Sequence, residues 1–207
     1  MTPSSRHIFL ATAQAYADFV ADLVVALPPE AWARPGLGEW TCRDLVGHTM
    51  RSITTVSIAL ASPVERLDLV GPEDYYAAVS TVDHAAVAQR GREAAAALGA
   101  DPAGAVRSAL AQARADLDAV PAGADPLVRT ALGGMRVSAY LSTRTIELVV
   151  HGGDLARAVG VPFEAPEEAL TEVVAILGAV AVRRRLAQPL LAAMTGRERL
   201  PEGFTVL

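Results

Sequence analysis

The stretch YLSTRTIELVVHGGDLAR, residues 140–157, decides the fold because it places charged groups at helical spacing inside an apolar segment. At 3.6 residues per turn its polar side chains form one stripe, while apolar residues cover most of the remaining circumference. A helix that is apolar nearly all round is usually buried, and a buried carboxylate or imidazole needs an ion pair, a hydrogen bond or a metal. The stripe consists of Tyr140, Arg144, Glu147, His151 and Asp154.

The spacing of Glu147 and His151 is that of two metal ligands on one helical face. Residues four apart on a helix have Cβ atoms about 5–6 Å apart, so both side chains can reach one divalent ion. An exposed ion pair has the same spacing, but the apolar surroundings disfavour exposure. A mononuclear site needs at least a third ligand, which in a helical bundle normally comes from another helix.

Three other histidines are available as the third ligand. His7 lies near the N-terminus, and His84 lies in a polar stretch. His48 lies within a predicted helix beside Gly47, whose missing side chain lets another helix or a ligand approach closely. His48 also shares a polar stripe with residues such as Arg51, and that stripe could simply face water. We therefore treat His48 as the candidate and keep the solvent-facing alternative open.

Two more charged residues accompany the pair on its stripe. Arg144 lies one turn before Glu147, where it either binds a carboxylate of the substrate or thiol, or forms an ion pair with Glu147 or Asp154. We favour the ion pair. Asp154 follows His151 by three residues, so it either accepts a hydrogen bond that orients the imidazole or pairs with Arg157. Both roles of Asp154 stay open.

The composition predicts a helical protein that binds neither nucleic acid nor membranes. The 207 residues are 52% hydrophobic but only 5% aromatic, and the formal net charge of −5 disfavours binding to phosphates. The longest apolar run, residues 173–182, is shorter than the ~20 residues that a membrane span needs. The single Cys42 excludes an internal disulfide, and we predict a packing or surface role for it. Because the N-terminus does not resemble a signal peptide, we expect a cytoplasmic location.

Prolines and glycines divide the chain into helical segments. We predict one domain, residues 1–207, because the sequence contains no repeat or interdomain linker. Its predicted class is all-α, an up-and-down four-helix bundle with extra short helices. A homodimer is compatible with the sequence. The predicted helices cover residues 5–27, 42–61, 75–98, 103–120, 137–159 and 167–186, with a short last helix before Gly196 and a loop over residues 121–134.

Two motifs carry a resemblance to a known family. The segment WTCRDLVGH, residues 40–48, is followed later in the chain by ELVVHGGDLARAVG, residues 147–160. Together they resemble the metal-binding domain of mycothiol-dependent maleylpyruvate isomerases, which belongs to the wider DinB-like group of four-helix bundles. The tail, residues 191–204, resembles the end of many such actinobacterial proteins. Where the family often has a tryptophan shortly before the aspartate, this chain has Gly152 and Gly153.

The resemblance implies a divalent metal, usually taken as zinc, bound by the residues that correspond to His48, Glu147 and His151. Nickel or another ion is an alternative. It also implies mycothiol or a related low-molecular-weight thiol as co-substrate. The isomerases carry a further C-terminal domain that contributes to substrate handling, and we expect this chain to end about where that domain begins. Two imidazoles and one carboxylate leave an open position on the ion, which is the layout of a catalytic site.

We therefore expect a metal- and thiol-dependent isomerase or transferase that acts on a small electrophilic substrate. Two alternatives stay open. The first is a non-enzymatic bundle with a structural or sensory metal. The second is a hydrolase in which the ion activates water as the nucleophile.

Overall fold

The computed structural model describes residues 4–79 and 84–207, and most of these residues lie in helices. The strands within the described ranges form two short antiparallel hairpins. The predicted all-α class is confirmed. The helices are α1 Ser5–Ala26, α2 Cys42–Leu60, α3 Pro72–Val79, α4 His84–Ala97, α5 Pro102–Asp118, α6 Val137–Val159, α7 Glu167–Arg183 and α8 Ala187–Met194; the strands are β1 Pro35–Leu37, β2 Trp40–Thr41, β3 Leu127–Thr130 and β4 Gly133–Arg136.

Helices α1, α2, α5 and α6 form the bundle, and each of them packs against two of the others. A surface cavity shows how their ends meet, because Leu27 after α1, Thr41 before α2 and Pro102 at the start of α5 all line it. Helices α2 and α5 therefore run in the same direction, opposite to α1, so the bundle departs from the strictly alternating up-and-down order that the sequence predicts. The segment with α3 and α4 forms the crossover between α2 and α5, and α4 packs along α2.

Helix α6 is the central helix of the core and has the limits that its sequence predicts. It ends at Gly160, whose φ of 71° lies in the left-handed region that favours glycine. Its apolar residues Ile146, Leu148 and Leu155 are fully buried. One hydrophobic cluster contains buried residues of α1, α2, α3, α5, α6 and α7. The single domain over residues 1–207 stays a prediction.

One predicted segment agrees with the structure and one differs. The described part of the helical stretch over residues 75–98 lies mostly in α3 and α4. The loop over residues 121–134 contains most of the β3–β4 hairpin, which is stabilised from outside by the segment after α2. Gly134 of β4 donates its N–H to the Asp68 carboxylate at 2.7 Å, and Val64 donates its N–H to the carbonyl of Leu127 at 3.1 Å. These contacts join segments that are distant in the sequence, so no local sequence pattern predicts the hairpin.

Helix α1 is long and apolar enough to span a membrane by length and composition, although the sequence lacks a long uninterrupted apolar run. Core helices pass the same test. Phe9, Tyr16 and Val20 of α1 are completely buried in the bundle, which accounts for the apolar character of the helix. The cytoplasmic location stays a prediction.

Candidate metal centre between α2 and α6

The start of α2 is fixed by a capping box. The Thr41 hydroxyl accepts the N–H of Asp44 at 3.1 Å, and the Asp44 carboxylate accepts the N–H of Thr41 at 3.0 Å. This exchange satisfies two backbone donors that the first turn of a helix otherwise leaves free. The first turn of α2 is therefore well defined, and His48 follows little more than one turn later.

Helix α4 packs closely against α2, and this packing holds an aromatic ring in contact with His48. A Cβ atom on Gly47 would lie only 2.4 Å from the backbone nitrogen of Ala95, so α2 and α4 are almost in backbone contact there. One turn earlier on α4, Gly91 lies directly against the Trp40 indole. The indole in turn stacks on the His48 imidazole, with ring centroids 4.3 Å apart and an interplanar angle of 34°. The two glycines therefore allow the packing that holds the His48 ring.

The structure brings His48, Glu147 and His151 together. The Oε2 atom of Glu147 lies 3.3 Å from Nε2 of His151 and 3.9 Å from Nε2 of His48. One candidate ligand atom from each residue lies within 4.8 Å of the other two. The side chains of His48, Glu147 and His151 are 16, 21 and 16% exposed, so the cluster is mostly buried but retains some contact with solvent.

Asp154 contacts both residues that the sequence offers as its partners, His151 and Arg157. Its Oδ2 atom lies 2.8 Å from Nδ1 of His151, and its Oδ1 atom accepts a hydrogen bond from Arg157. A proton on Nδ1 that is donated to Asp154 leaves the Nε2 lone pair of His151 facing Glu147 and His48. That is the tautomer a metal ligand needs.

His48 lacks a comparable acceptor. Its Nδ1 atom is buried and has no hydrogen-bond partner among the described residues. Contact with Trp40 on one side and with the edge of the His151 ring, 5.0 Å away between centroids, holds the imidazole instead. The two histidines are therefore fixed by different means, one by a hydrogen bond and the other by aromatic packing.

The charges of the three groups differ strongly. Burial lowers the pKa of His48 to about 4, with a further contribution from the nearby His151, so this imidazole is neutral. Burial also opposes charge on His151, but the carboxylates of Asp154 and Glu147 raise its pKa to about 9. This imidazole is therefore protonated on both nitrogens at neutral pH and must release the Nε2 proton to bind an ion. Burial alone would raise the pKa of Glu147, yet the hydrogen bond with His151 and the charge of Arg144 lower it to about 2.

Arg144 does not form the expected ion pair, since within the described residues no carboxylate lies at ion-pair distance from its guanidinium. The group is buried beside two aromatic rings, 4.8 Å from the Tyr140 centroid and 5.2 Å from the Tyr75 centroid. Its Nε donates to the Thr143 hydroxyl at 3.0 Å. The carboxylate of Glu147 is satisfied from elsewhere, by Tyr76, whose hydroxyl lies 2.9 Å from Oε1. Sequence reasoning missed Tyr76, which comes from α3 and belongs to neither motif.

The structure does not add a further histidine to the cluster within the described residues. His7 is exposed near the start of α1, and the side chain of His84 lies outside the described residues. Cys42 is buried with a thiol pKa raised by desolvation, in agreement with a packing role.

The glycine two residues before Asp154 is also explained by packing. A Cβ atom on Gly152 would lie 2.4 Å from the Phe163 ring, which fills that space and packs against Tyr16 and Phe19.

The donor set fits a divalent ion. It consists of the neutral imidazole of His48, the imidazole of His151, whose Nδ1 lies against a carboxylate, and the ionised carboxylate of Glu147. Their ligand atoms lie close to one another. Zinc is bound by such nitrogen and oxygen ligands. A helical bundle that carries this cluster between two of its helices has the features of a metal-binding, DinB-like protein. Residues 13–156 match the family model of the mycothiol maleylpyruvate isomerase N-terminal domain. The chain belongs to that family.

The suspected resemblance to this family is thereby confirmed. No curated protein and no solved structure matches the chain significantly. The assignment of His48, Glu147 and His151 as ligands therefore rests on their geometry and stays a prediction.

Proposed function

We propose that this protein is a metal- and thiol-dependent isomerase or transferase that acts on a small electrophilic substrate. The observation that carries the proposal is the cluster of His48, Glu147 and His151, whose ligand atoms converge and whose side chains stay partly exposed. A structural metal is normally enclosed by four protein ligands, whereas a catalytic one has three and an open position. Three ligands beside solvent favour the enzymatic function.

A bound divalent ion, zinc in the first instance, supplies positive charge that stabilises a thiolate at neutral pH. The protein side chains prepare the site for that charge. Asp154 holds the proton of His151 on Nδ1, and Glu147 contributes the one negative charge among the three ligands. Trp40 covers the His48 ring and excludes water from that side.

We propose mycothiol as the thiol, because the matched family is named for it. In such a reaction the thiol loses its proton, and its sulfur forms a bond to an electrophilic carbon of the substrate. The new bond forms as a π bond of the substrate breaks, and the π electrons move onto the group that activates the carbon. An isomerase then breaks the carbon–sulfur bond again and releases the thiol unchanged, whereas in a transferase the substrate takes up a proton and keeps the sulfur.

Arginines give one side of the site a positive charge that suits a substrate carboxylate. Arg144 lies one turn from Glu147, and Arg51 lies one turn after His48 on α2. Burial, together with the nearby charges of Arg90 and Arg144, lowers the pKa of Arg51, as expected where cations gather. We therefore propose a substrate that carries a carboxylate beside its electrophilic carbon. A methyl ester of the same electrophile should bind more weakly than the free acid.

Cobalt-substituted protein tests the thiol directly. Addition of mycothiol should produce a sulfur-to-cobalt charge-transfer band in the near ultraviolet, at lower concentration than glutathione requires. Glu147→Gln keeps the shape of the side chain but removes its charge, so it should weaken cobalt binding and abolish the band. If no thiol changes the cobalt spectrum at millimolar concentration, the thiol-dependent function is wrong, and an ion that activates water or is structural takes its place.

A further inference from the structure

The two oxygens of the Glu147 carboxylate have different neighbours. Oε2 faces the Nε2 atoms of His151 and His48, at 3.3 and 3.9 Å. Oε1 lies on the other side, 2.9 Å from the hydroxyl of Tyr76. Since the carboxylate is ionised, it accepts the hydroxyl proton in a charge-assisted hydrogen bond. One oxygen is thus directed at the two imidazoles and the other is engaged away from them.

The Tyr76 hydroxyl is held firmly in this position. Tyr76 is only 3% exposed, and its hydroxyl also lies 3.1 Å from the backbone oxygen of Thr143. Its own backbone oxygen accepts a hydrogen bond from Arg184 at 3.0 Å, and the neighbouring Asp74 pairs with Arg183. Helix α3 is therefore tied to the end of α7, and the tyrosine enters the site from an element separate from α2 and α6.

We infer that Tyr76 is a positioning residue that restricts Glu147 to binding a metal through one oxygen. A carboxylate that binds through both oxygens occupies two positions on an ion and narrows access for other ligands. By engaging Oε1, Tyr76 keeps a position available for the thiol or the substrate. The inference rests on the proposed function, since it concerns the same three ligands. It goes further because it assigns to Tyr76 of α3 the role of keeping a coordination position on the ion open.

A purely structural hydrogen bond makes a different prediction. A buried tyrosine hydroxyl needs a partner, and the carbonyl of Thr143 is within reach of it. If Tyr76 only filled its space, its removal would lower the free energy of unfolding and leave the geometry around a bound ion unchanged. A change in the number of ligands around the ion is therefore the informative measurement.

The test is Tyr76→Phe in cobalt-substituted protein, with Tyr75→Phe as the matched control. Tyr75 is the adjacent buried tyrosine on α3, and its ring lies beside Arg144 instead of contacting the Glu147 carboxylate. Tyr76→Phe should still bind cobalt, but its visible absorption should weaken because a fifth ligand lowers the intensity of the cobalt bands. Its affinity for mycothiol should fall on the order of tenfold, as for other residues that support metal ligands. Tyr75→Phe should match wild type in both respects.

The wild-type protein provides a second measurement that does not depend on a variant folding. The infrared difference spectrum between metal-loaded and metal-free protein, with ¹³C-labelled glutamate, reports the separation of the two carboxylate stretches. A wide separation indicates binding through one oxygen and supports the inference, whereas a narrow one indicates both oxygens and overturns it. Identical cobalt spectra and thiol affinities in wild type and Tyr76→Phe would also overturn it. A wild-type protein that binds no metal would overturn the proposed function as well.

Discussion

Gly47 of α2 lies so close to Ala95 of α4 that a methyl group on the glycine would come within 2.4 Å of the alanine backbone nitrogen. The contact is with backbone, which cannot rotate away as a side chain can. It also lies next to His48 in sequence. The packing of α4 on α2 is therefore part of what places the first candidate ligand.

Gly47→Ala should lower the free energy of unfolding by about 1–3 kcal/mol, because α2 and α4 must move apart to accept the methyl group. The same shift should withdraw Trp40 from the His48 ring and reduce metal affinity. Denaturant unfolding measures the first effect and metal titration the second. Gly178→Ala is the matched control, since a Cβ there meets nothing within 4 Å. It should stabilise α7 by about 0.5–1 kcal/mol.

Metal content should depend on each of the three candidate ligands. His48→Ala, Glu147→Gln and His151→Ala should each lose most of the ion in elemental analysis, whereas His7→Ala should retain it because this residue is exposed on α1. Wild-type metal content in any of the first three variants would remove that residue from the site.

The melting temperature should also respond to the metal. Chelation of the wild-type protein should lower the melting temperature without unfolding the bundle, since only the folded state binds the ion tightly and the core does not depend on it. Complete unfolding on chelation would instead indicate a structural metal.

Asp154→Ala should weaken metal binding about 10–100-fold, because His151 loses the acceptor that holds its proton on Nδ1. The variant also removes the ion pair with Arg157, so Arg157→Ala serves as the control. That substitution deletes the exposed partner of Asp154 and leaves the hydrogen bond to His151 in place. If both variants bind metal equally well, Asp154 does not orient the ligand.

The attachment of α3 to the end of α7 should contribute less stability as the pH falls. Asp74 accepts the N–H groups of Gly71 and Val70 and pairs with Arg183, and these contacts hold its pKa below the ordinary value of 3.8. A carboxylate with a lowered folded-state pKa contributes stability above its unfolded-state pKa and loses it as the pH falls through the folded-state value. Asp74→Asn should therefore reduce stability at neutral pH and flatten its decline in acid. Thermal unfolding across the acid range measures this, and Asp22→Asn on the exposed face of α1 should behave like wild type.

The sequence predicts the parts of the site that lie on one helix. The limits of α6 follow from its apolar periodicity and from Gly160, and the spacing of Glu147 and His151 places both side chains on one face. The capping residues of α2 are equally local, because Thr41 and Asp44 are three residues apart. Such features depend on short-range geometry that the sequence alone determines.

The missed features depend on contacts between distant segments. Tyr76 meets Glu147 across 71 positions of the chain, and neither its residue type nor its neighbours mark it as part of the site. The tyrosine rings beside Arg144 likewise replace the ion pair that helical spacing favours. Tyr140 is a helical neighbour of Arg144 on α6, whereas Tyr75 and Tyr76 reach the site through the docking of α3 on α6, and that docking has no local pattern to predict it.

The packing of the Phe163 ring against Gly152 has a consequence for relatives of this protein. A side chain at position 152 and an aromatic ring at position 163 compete for one volume. A relative with a bulky residue at the first position must therefore direct its chain along another path after the sixth helix. Among relatives, the size of the residue two positions before the aspartate and the course of the chain after α6 should consequently vary together, because both decide what fills the same space.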